Sequence, residues 1–269
     1  SRQSSSPTVN RTRNLLQAFA QQVAAQRLLG RGINPAALQV LAVERLDVST
    51  PQSQAANLLN LTPYFIIFSV FMGGMYLAID TTAGERERGT LEPLLINPVT
   101  SSELVLGKLS ATLVFTVLAV VETLIGFMVV LNVPAMTDLV GVRISLAPAA
   151  MVAAFLITIP IMLLAAALQI VIATFTRSFK EAQNILGLVP LIPALPGMFL
   201  AFVPYKTELW AMLIPTFGQQ LLIIQVMRGE APNPLHLVVS AGVTLLVGLG
   251  LVWLAIRLYD RERILFGKK

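Results

Sequence analysis

The stretch LAPAAMVAAFLITIPIMLLAAALQIVIATF, from Leu146 to Phe175, contains no Asp, Glu, Lys or Arg. About 20 apolar residues are enough for a helix to cross a ~30 Å hydrocarbon core, and this run is longer than that. Four more blocks of the same kind surround it: Leu58–Ile79, Leu104–Leu131, Ile185–Val203 and Leu235–Leu258. Leu209–Met227 is apolar too, but Pro215, Gly218, Gln219 and Gln220 interrupt it, so it reads as two half-inserted helices, with a sixth span as the alternative. Composition agrees. The chain is 55% apolar and 12% charged, where a soluble domain averages roughly 45–50% and about 25%. The fold class is therefore an all-α integral membrane protein, a polytopic bundle with five spans in this chain.

Charge placement gives an orientation. The linkers after the first and third blocks and the C-terminal tail 261–269 with its approach carry ten Lys and Arg; the linkers after the second and fourth carry three. The positive-inside rule puts the ten in the cytoplasm, with the C-terminus. Residues 1–57 then lie outside, although they hold six Arg, because long translocated segments largely escape the rule. Within them Arg11–Leu29 has helical periodicity, ended by Gly30-Arg-Gly32, and Val40–Val48 alternates as a short strand would. This region reads as the end of an extracytoplasmic soluble region, and a start at Ser1 suggests a chain processed or cut from something longer.

Between the first two blocks lies Asp80-Thr-Thr-Ala-Gly84-Glu-Arg-Glu-Arg-Gly89-Thr-Leu-Glu-Pro-Leu-Leu95. Gly84 and Gly89 bracket alternating acidic and basic residues. Thr90 is placed to cap a short helix whose first turn tolerates Pro93, Leu91, Leu94 and Leu95 share a face, and Pro98 ends it. Thr100-Ser-Ser-Glu103 is a capping box opening the next span. The expectation is a short charged helix, residues 84–97, across the mouth between two spans. A solvated loop that merely obeys the charge rule explains the same residues about equally well on physics alone.

The string Gly84 to Leu95, followed by Asn97-Pro-Val99 and Leu106-Gly-Lys108, resembles the coupling-helix signature of type-2 ABC exporter permeases. It is most similar to the sodium-efflux, NatB-like branch, which Met72-Gly-Gly-Met75 and Ala78-Ile-Asp80 also match. The resemblance runs from about Arg27 to the C-terminus, specific in the charged motif and carried by pattern beyond it. Such permeases have six spans with a large extracytoplasmic region between the first and second, so the resemblance implies a span upstream of this chain. It implies a transport subunit, not an enzyme, in the cell inner (plasma) membrane. Its partners would be a P-loop ATPase subunit that holds ATP and Mg, a second permease copy or a homologous permease, and membrane lipids. No cofactor, metal or nucleic acid is implied for this chain. The residues matching the coupling signature are Gly84, Glu85, Arg86, Glu87, Arg88, Gly89, Thr90, Leu91 and Glu92, with the five charged ones as the main ATPase contacts.

Four polar residues are candidates for a translocation path. Glu122 is well inside the second block, about 14 residues or ~21 Å from Lys108 at 1.5 Å per residue. An ionisable group at that depth costs a few kcal/mol unless it faces protein or water. Asp80 ends the first block, and Gln169 and Asn184 fall near the inner half of theirs. Each has a plainer explanation: a hydrogen-bonded or protonated Glu, a helix-end charge, interhelical hydrogen bonds. Pro190, Pro193 and Pro196 break the fourth block, as in a cavity-lining or a simply kinked helix.

Zero Cys and one His, His236, exclude disulfides, thiolate sites and most His-based catalysis. No G-x-x-x-x-G-K-[ST], H-E-x-x-H or Gly-x-Ser-x-Gly occurs. The reading is an ATP-driven exporter subunit, extruding sodium or else a lipid-like or drug-like molecule. An ion-gradient-driven transporter stands second, disfavoured by the lack of inverted repeats, and a membrane-bound enzyme third.

Overall fold

A computed structural model describes residues 51–133, 147–202 and 207–266. The helical pattern at Arg11–Leu29, the strand expected at Val40–Val48 and the end of the tail lie outside the described residues. Among those described there are helices and turns and no strand. Five helices are long and apolar enough to cross a membrane: Leu59–Glu87, Ser101–Leu131, Pro148–Phe175, Phe179–Leu200 and Pro234–Asp260. The all-α polytopic class follows.

The first span is built from α1 (Pro51–Gly73), α2 (Met75–Ile79), a π-helical turn at Asp80–Gly84 and α3 (Glu85–Glu87). It begins earlier and ends later than the apolar block Leu58–Ile79, because the helical backbone does not stop where hydrophobicity does. Gly73 and Gly74 let it press against α5 (Ser101–Asn132). A Cβ at Gly73 would lie 2.5 Å from the Ala119 Cβ, and one at Gly74 2.5 Å from the Thr116 Oγ1. Close approach of this kind is what small residues provide in membrane helix pairs. The capping box of α5 forms, with Glu103 N–H donating to Thr100 Oγ1 at 3.2 Å and Thr100 N–H to the Glu103 carboxylate at 2.7 Å.

The uncharged stretch Leu146–Phe175 supplies α6 (Pro148–Phe175), which is the centre of the bundle. Its buried residues Ile157, Ile161, Leu164 and Ala165 join Ile66, Val70 and Phe71 of α1 and Leu221, Leu222 and Ile223 in one core. A second core, nearer the charged motif, combines Leu91, Val105 and Leu109 with Ile170, Ala255 and Tyr259.

The fourth span is two helices, α7 (Phe179–Leu188) and α8 (Leu191–Phe202), where one block, Ile185–Val203, was expected. It starts at Phe179 because Ser178 caps it, its Oγ accepting from Glu181 N–H at 3.2 Å. Pro190 sits at the break, Pro193 falls in the first turn of α8 where no helical N–H is needed, and Pro196 is inside the helix. The interrupted stretch forms a 3-10 turn, Leu209–Leu213, and α9 (Phe217–Met227), joined through Thr216 at φ 70. α9 is buried along most of its length. Gln219 Nε2 donates to Ser240 O on α10 (Pro234–Phe266), Gln220 Nε2 to Pro193 O, and Gln225 Nε2 to Thr207 Oγ1.

Candidate functional site

The charged motif is not a separate helix lying across the mouth. Its first half, Glu85 to Glu87, continues the first span through the π turn, and Leu91–Ile96 forms α4 after a reversal. π turns inside α-helices recur at functional sites. Successive residues of an α-helix point about 100° apart, so three neighbours in sequence can face three directions, and here they do.

Glu85 pairs with Lys108 of α5, whose ammonium also donates to Thr81 O and lies 5.6 Å from the centre of the Tyr259 ring. Lys108 is 7% exposed, so its charge is held by a carboxylate, a carbonyl and an aromatic face rather than by water. Arg86 Nη1 donates to Thr174 O at 2.6 Å and Thr176 O at 2.7 Å, at the C-terminal end of α6. Glu87 accepts from Phe179 N–H at 2.7 Å, at the first residue of α7. A cation thus sits on a helix C-terminus and an anion on a helix N-terminus, which is the favourable sense of both dipoles.

Arg88 turns back over the π segment, donating to Asp80 Oδ1 at 2.8 Å and to Asp80 O at 3.1 Å. The hydrogen bond to Asp80, helped by the charges of Asp80, Glu85 and Glu87, holds its pKa above the ordinary arginine value. Gly84 lies beneath this clamp: a Cβ there would be 3.1 Å from both Arg88 Nη1 and Asp80 Oδ1. Gly89 reverses the chain at φ +68, a left-handed conformation that favours glycine. Thr90 does not cap α4 through its side chain; its hydroxyl donates to Glu85 O at 3.2 Å and its N–H to the same oxygen at 2.9 Å. Leu91 is buried against the second core.

Three of the four consecutive charged residues, Glu85, Arg86 and Glu87, therefore tie the first span to α5 and to the turn between α6 and α7, while Arg88 closes on the first span itself. Glu85 and Arg86 are half-buried and bonded inward, and Leu91 is buried. Glu87 is exposed yet engaged on Phe179. Arg88, Gly89, Thr90 and Pro93 form the exposed edge.

The candidate path residues are not brought together. Asp80 belongs to the Arg88 clamp. Gln169 is buried, its Nε2 donating to Phe71 O between α6 and α1. Glu122 and Asn184 are exposed on the outer faces of α5 and α7, so within this chain Glu122 does not face the interior. The core of this chain does not cover that face of α5, where Leu118, Val121 and Ile125 are exposed as well. Among the described residues no group of three or more His, Cys, Asp or Glu could hold a metal ion.

Sequence reasoning passed over Phe179, Thr174 and Thr176. A signal existed for the first: Ser178-Phe-Lys-Glu181 has the spacing of an N-terminal cap. The cap is a variant, since the Glu181 carboxylate accepts from Arg177 N–H at 2.8 Å, one residue before the capping serine.

Comparison with known proteins gives a consistent result. A family model described as ABC-2 family transporter protein matches residues 8–263. ABC transporter permease protein NatB of Bacillus subtilis (strain 168) is 26% identical over 252 residues, 92% of this chain. The chain spans 65% of the length of that curated relative. No solved structure matches it. Five apolar helices, a charged joint between the first two, and a family match over nearly the whole sequence place this chain in the ABC-2 family of transporter proteins.

Proposed function

We propose that this chain is the membrane-spanning permease subunit of an ATP-driven exporter, powered by a separate ATPase subunit that docks on the edge Arg88–Thr90 and Pro93. The observation that carries this reading is the construction of the charged motif. Its inward residues are locked to the ends of three spans, while a glycine reversal presents Arg88 and its neighbours outward. An exposed turn so rigidly joined to the bundle suits a surface that must pass a push inward. The sequence has no phosphate-binding loop of its own, which agrees with ATP and Mg being held by the partner.

The ten-to-three distribution of Lys and Arg supports a cytoplasmic motif and C-terminus, in a cell inner membrane. A second permease copy or a homologous permease would complete the transport unit, and ATP-driven closure of the ATPase pair would switch it between inward and outward access. Similarity of the charged motif to the sodium-efflux branch makes sodium the cargo to test first, with lipid-like or drug-like molecules as the alternatives.

The test is purification of the complete protein from its native membrane. A P-loop ATPase should co-purify, and Arg88→Glu should abolish both co-purification and stimulation of its ATP hydrolysis. Retention of both in the variant would remove the docking assignment.

A further inference from the structure

We propose that the hydrogen bond from Phe179 N–H to the Glu87 carboxylate is the link through which movement of the charged motif reaches the proline-broken fourth span, with Arg86 fixing the preceding helix end as its anchor. This rests on the reading of the motif as an ATPase docking site, and it assigns Glu87 and Phe179 as positioning residues.

The geometry singles out this route. Among the described residues, Glu85, Arg86 and Glu87 each make a polar contact with another helix, and these contacts differ in what lies behind them. Glu85 grips Lys108 of α5, a helix without an internal proline. Arg86 grips Thr174 O and Thr176 O at the end of α6, the most enclosed span. Glu87 grips the first residue of α7, a helix of 10 residues. Beyond α7 the chain breaks at Pro190 and restarts as α8, which has Pro196 in its interior. α6 also contains a proline, Pro160, but remains one continuous helix, so of the three only the Glu87 contact leads to a segment whose helix is interrupted. The outer face of that segment is uncovered, with Ile192 at 74% and Phe199 at 69% exposed.

The two neighbouring contacts also work against each other in a useful way. Arg86 and Glu87 hold opposite ends of the same short turn, Thr176 to Ser178, the cation on the outgoing helix and the anion on the incoming one. A rotation of α3 that moves both residues therefore levers α7 relative to α6. Ring contact between Tyr76 and Phe179, centroids 5.4 Å apart, gives the pivot an apolar bearing.

The bond can be deleted without touching the motif. Phe179 is the first helical residue, where proline is tolerated because no intrahelical N–H is lost. Ser178 before it is extended, φ −139 and ψ 159, as the residue before a proline prefers. Phe179→Pro removes the N–H and the ring; Phe179→Ala removes the ring alone. The chain contains no cysteine, so with any cysteine elsewhere in the complex replaced by serine, an environment-sensitive fluorophore on Ile192→Cys reports on α8.

The complete protein with its co-purified ATPase is reconstituted in vesicles and given ATP. The fluorophore response should fall by about fivefold in Phe179→Pro relative to Phe179→Ala, the scale of an ordinary coupling between sites. Glu87→Ala should reproduce the loss, and Glu87→Gln, which keeps an acceptor, should restore most of the response. Equal responses in Phe179→Pro and Phe179→Ala overturn the proposal, as does a Glu87→Gln response no better than that of Glu87→Ala. Absence of any co-purifying ATPase in the wild type removes the docking reading and this route with it.

Discussion

Replacing Gly74 by alanine should separate the first span from α5. The new Cβ would lie 2.5 Å from Thr116 Oγ1, 2.6 Å from Thr112 Cγ2 and 2.7 Å from Thr112 O. Ordinary contact begins at about 3.5 Å between carbon atoms, so the overlap is about 1 Å on three sides. Rotamer changes give little relief. Thr112 and Thr116 hydroxyls donate to Lys108 O and Thr112 O, each at 2.9 Å, and Thr112 O is backbone. The helices must move apart, at a cost of about 1–3 kcal/mol. Unfolding of the purified protein by heat, or by SDS titration, measures it. Gly107→Ala is the control on the same helix pair: nothing lies within 4 Å of its Cβ, and alanine there should be neutral or stabilising by about 0.5–1 kcal/mol. If Gly74→Ala matches Gly107→Ala in stability, the close packing of these helices is wrong.

Two further predictions concern the motif and its side of the membrane. Lys108→Met should cost about 2 kcal/mol through the loss of its charged hydrogen bonds, while Glu85→Gln combined with it should cost less than the sum of the single changes; a double-mutant cycle on unfolding free energies checks this, and strict additivity would refute the pairing. Thr90→Cys and Asn233→Cys lie on exposed turns separated by an odd number of spans, so an impermeant maleimide applied to sealed cells should label Asn233→Cys and reach Thr90→Cys only after permeabilisation, the reverse pattern overturning the charge-based orientation.

What the sequence made readable was whatever depends on length and local chemistry. Uninterrupted apolar runs announce the spans, since nothing else accommodates Leu146–Phe175. Thr100 and Glu103 announce a helix start, because a capping box closes within four residues. The partners of Glu85, Arg86 and Glu87 were not readable. Helical periodicity says that these side chains diverge, but which helix end lies in each direction depends on packing among segments up to 92 residues apart. The start of the fourth span was readable but overlooked: the prolines drew attention to Ile185–Val203, while Ser178 and Glu181 marked the true beginning. Glu122 shows another limit. The cost of an exposed carboxylate at membrane depth applies to the assembled protein, and it does not say which surface of one chain is covered.

The fan of side chains from α3 makes the motif sensitive to phase as well as to composition. Inserting one residue between Gly84 and Glu85 would turn every later side chain of α3 by about 100° and advance it by about 1.5 Å. Arg86 would then point where Glu87 now meets Phe179 N–H, bringing a cation to the positive end of α7. Glu85 in turn would confront the carbonyls of Thr174 and Thr176. A single codon added there would change the sign of two contacts at once, whereas most substitutions weaken only one. The spacing from Gly84 to Gly89 thus works like the tooth pitch of a gear, and a swap of the whole charged block between related chains should succeed only when its length is kept.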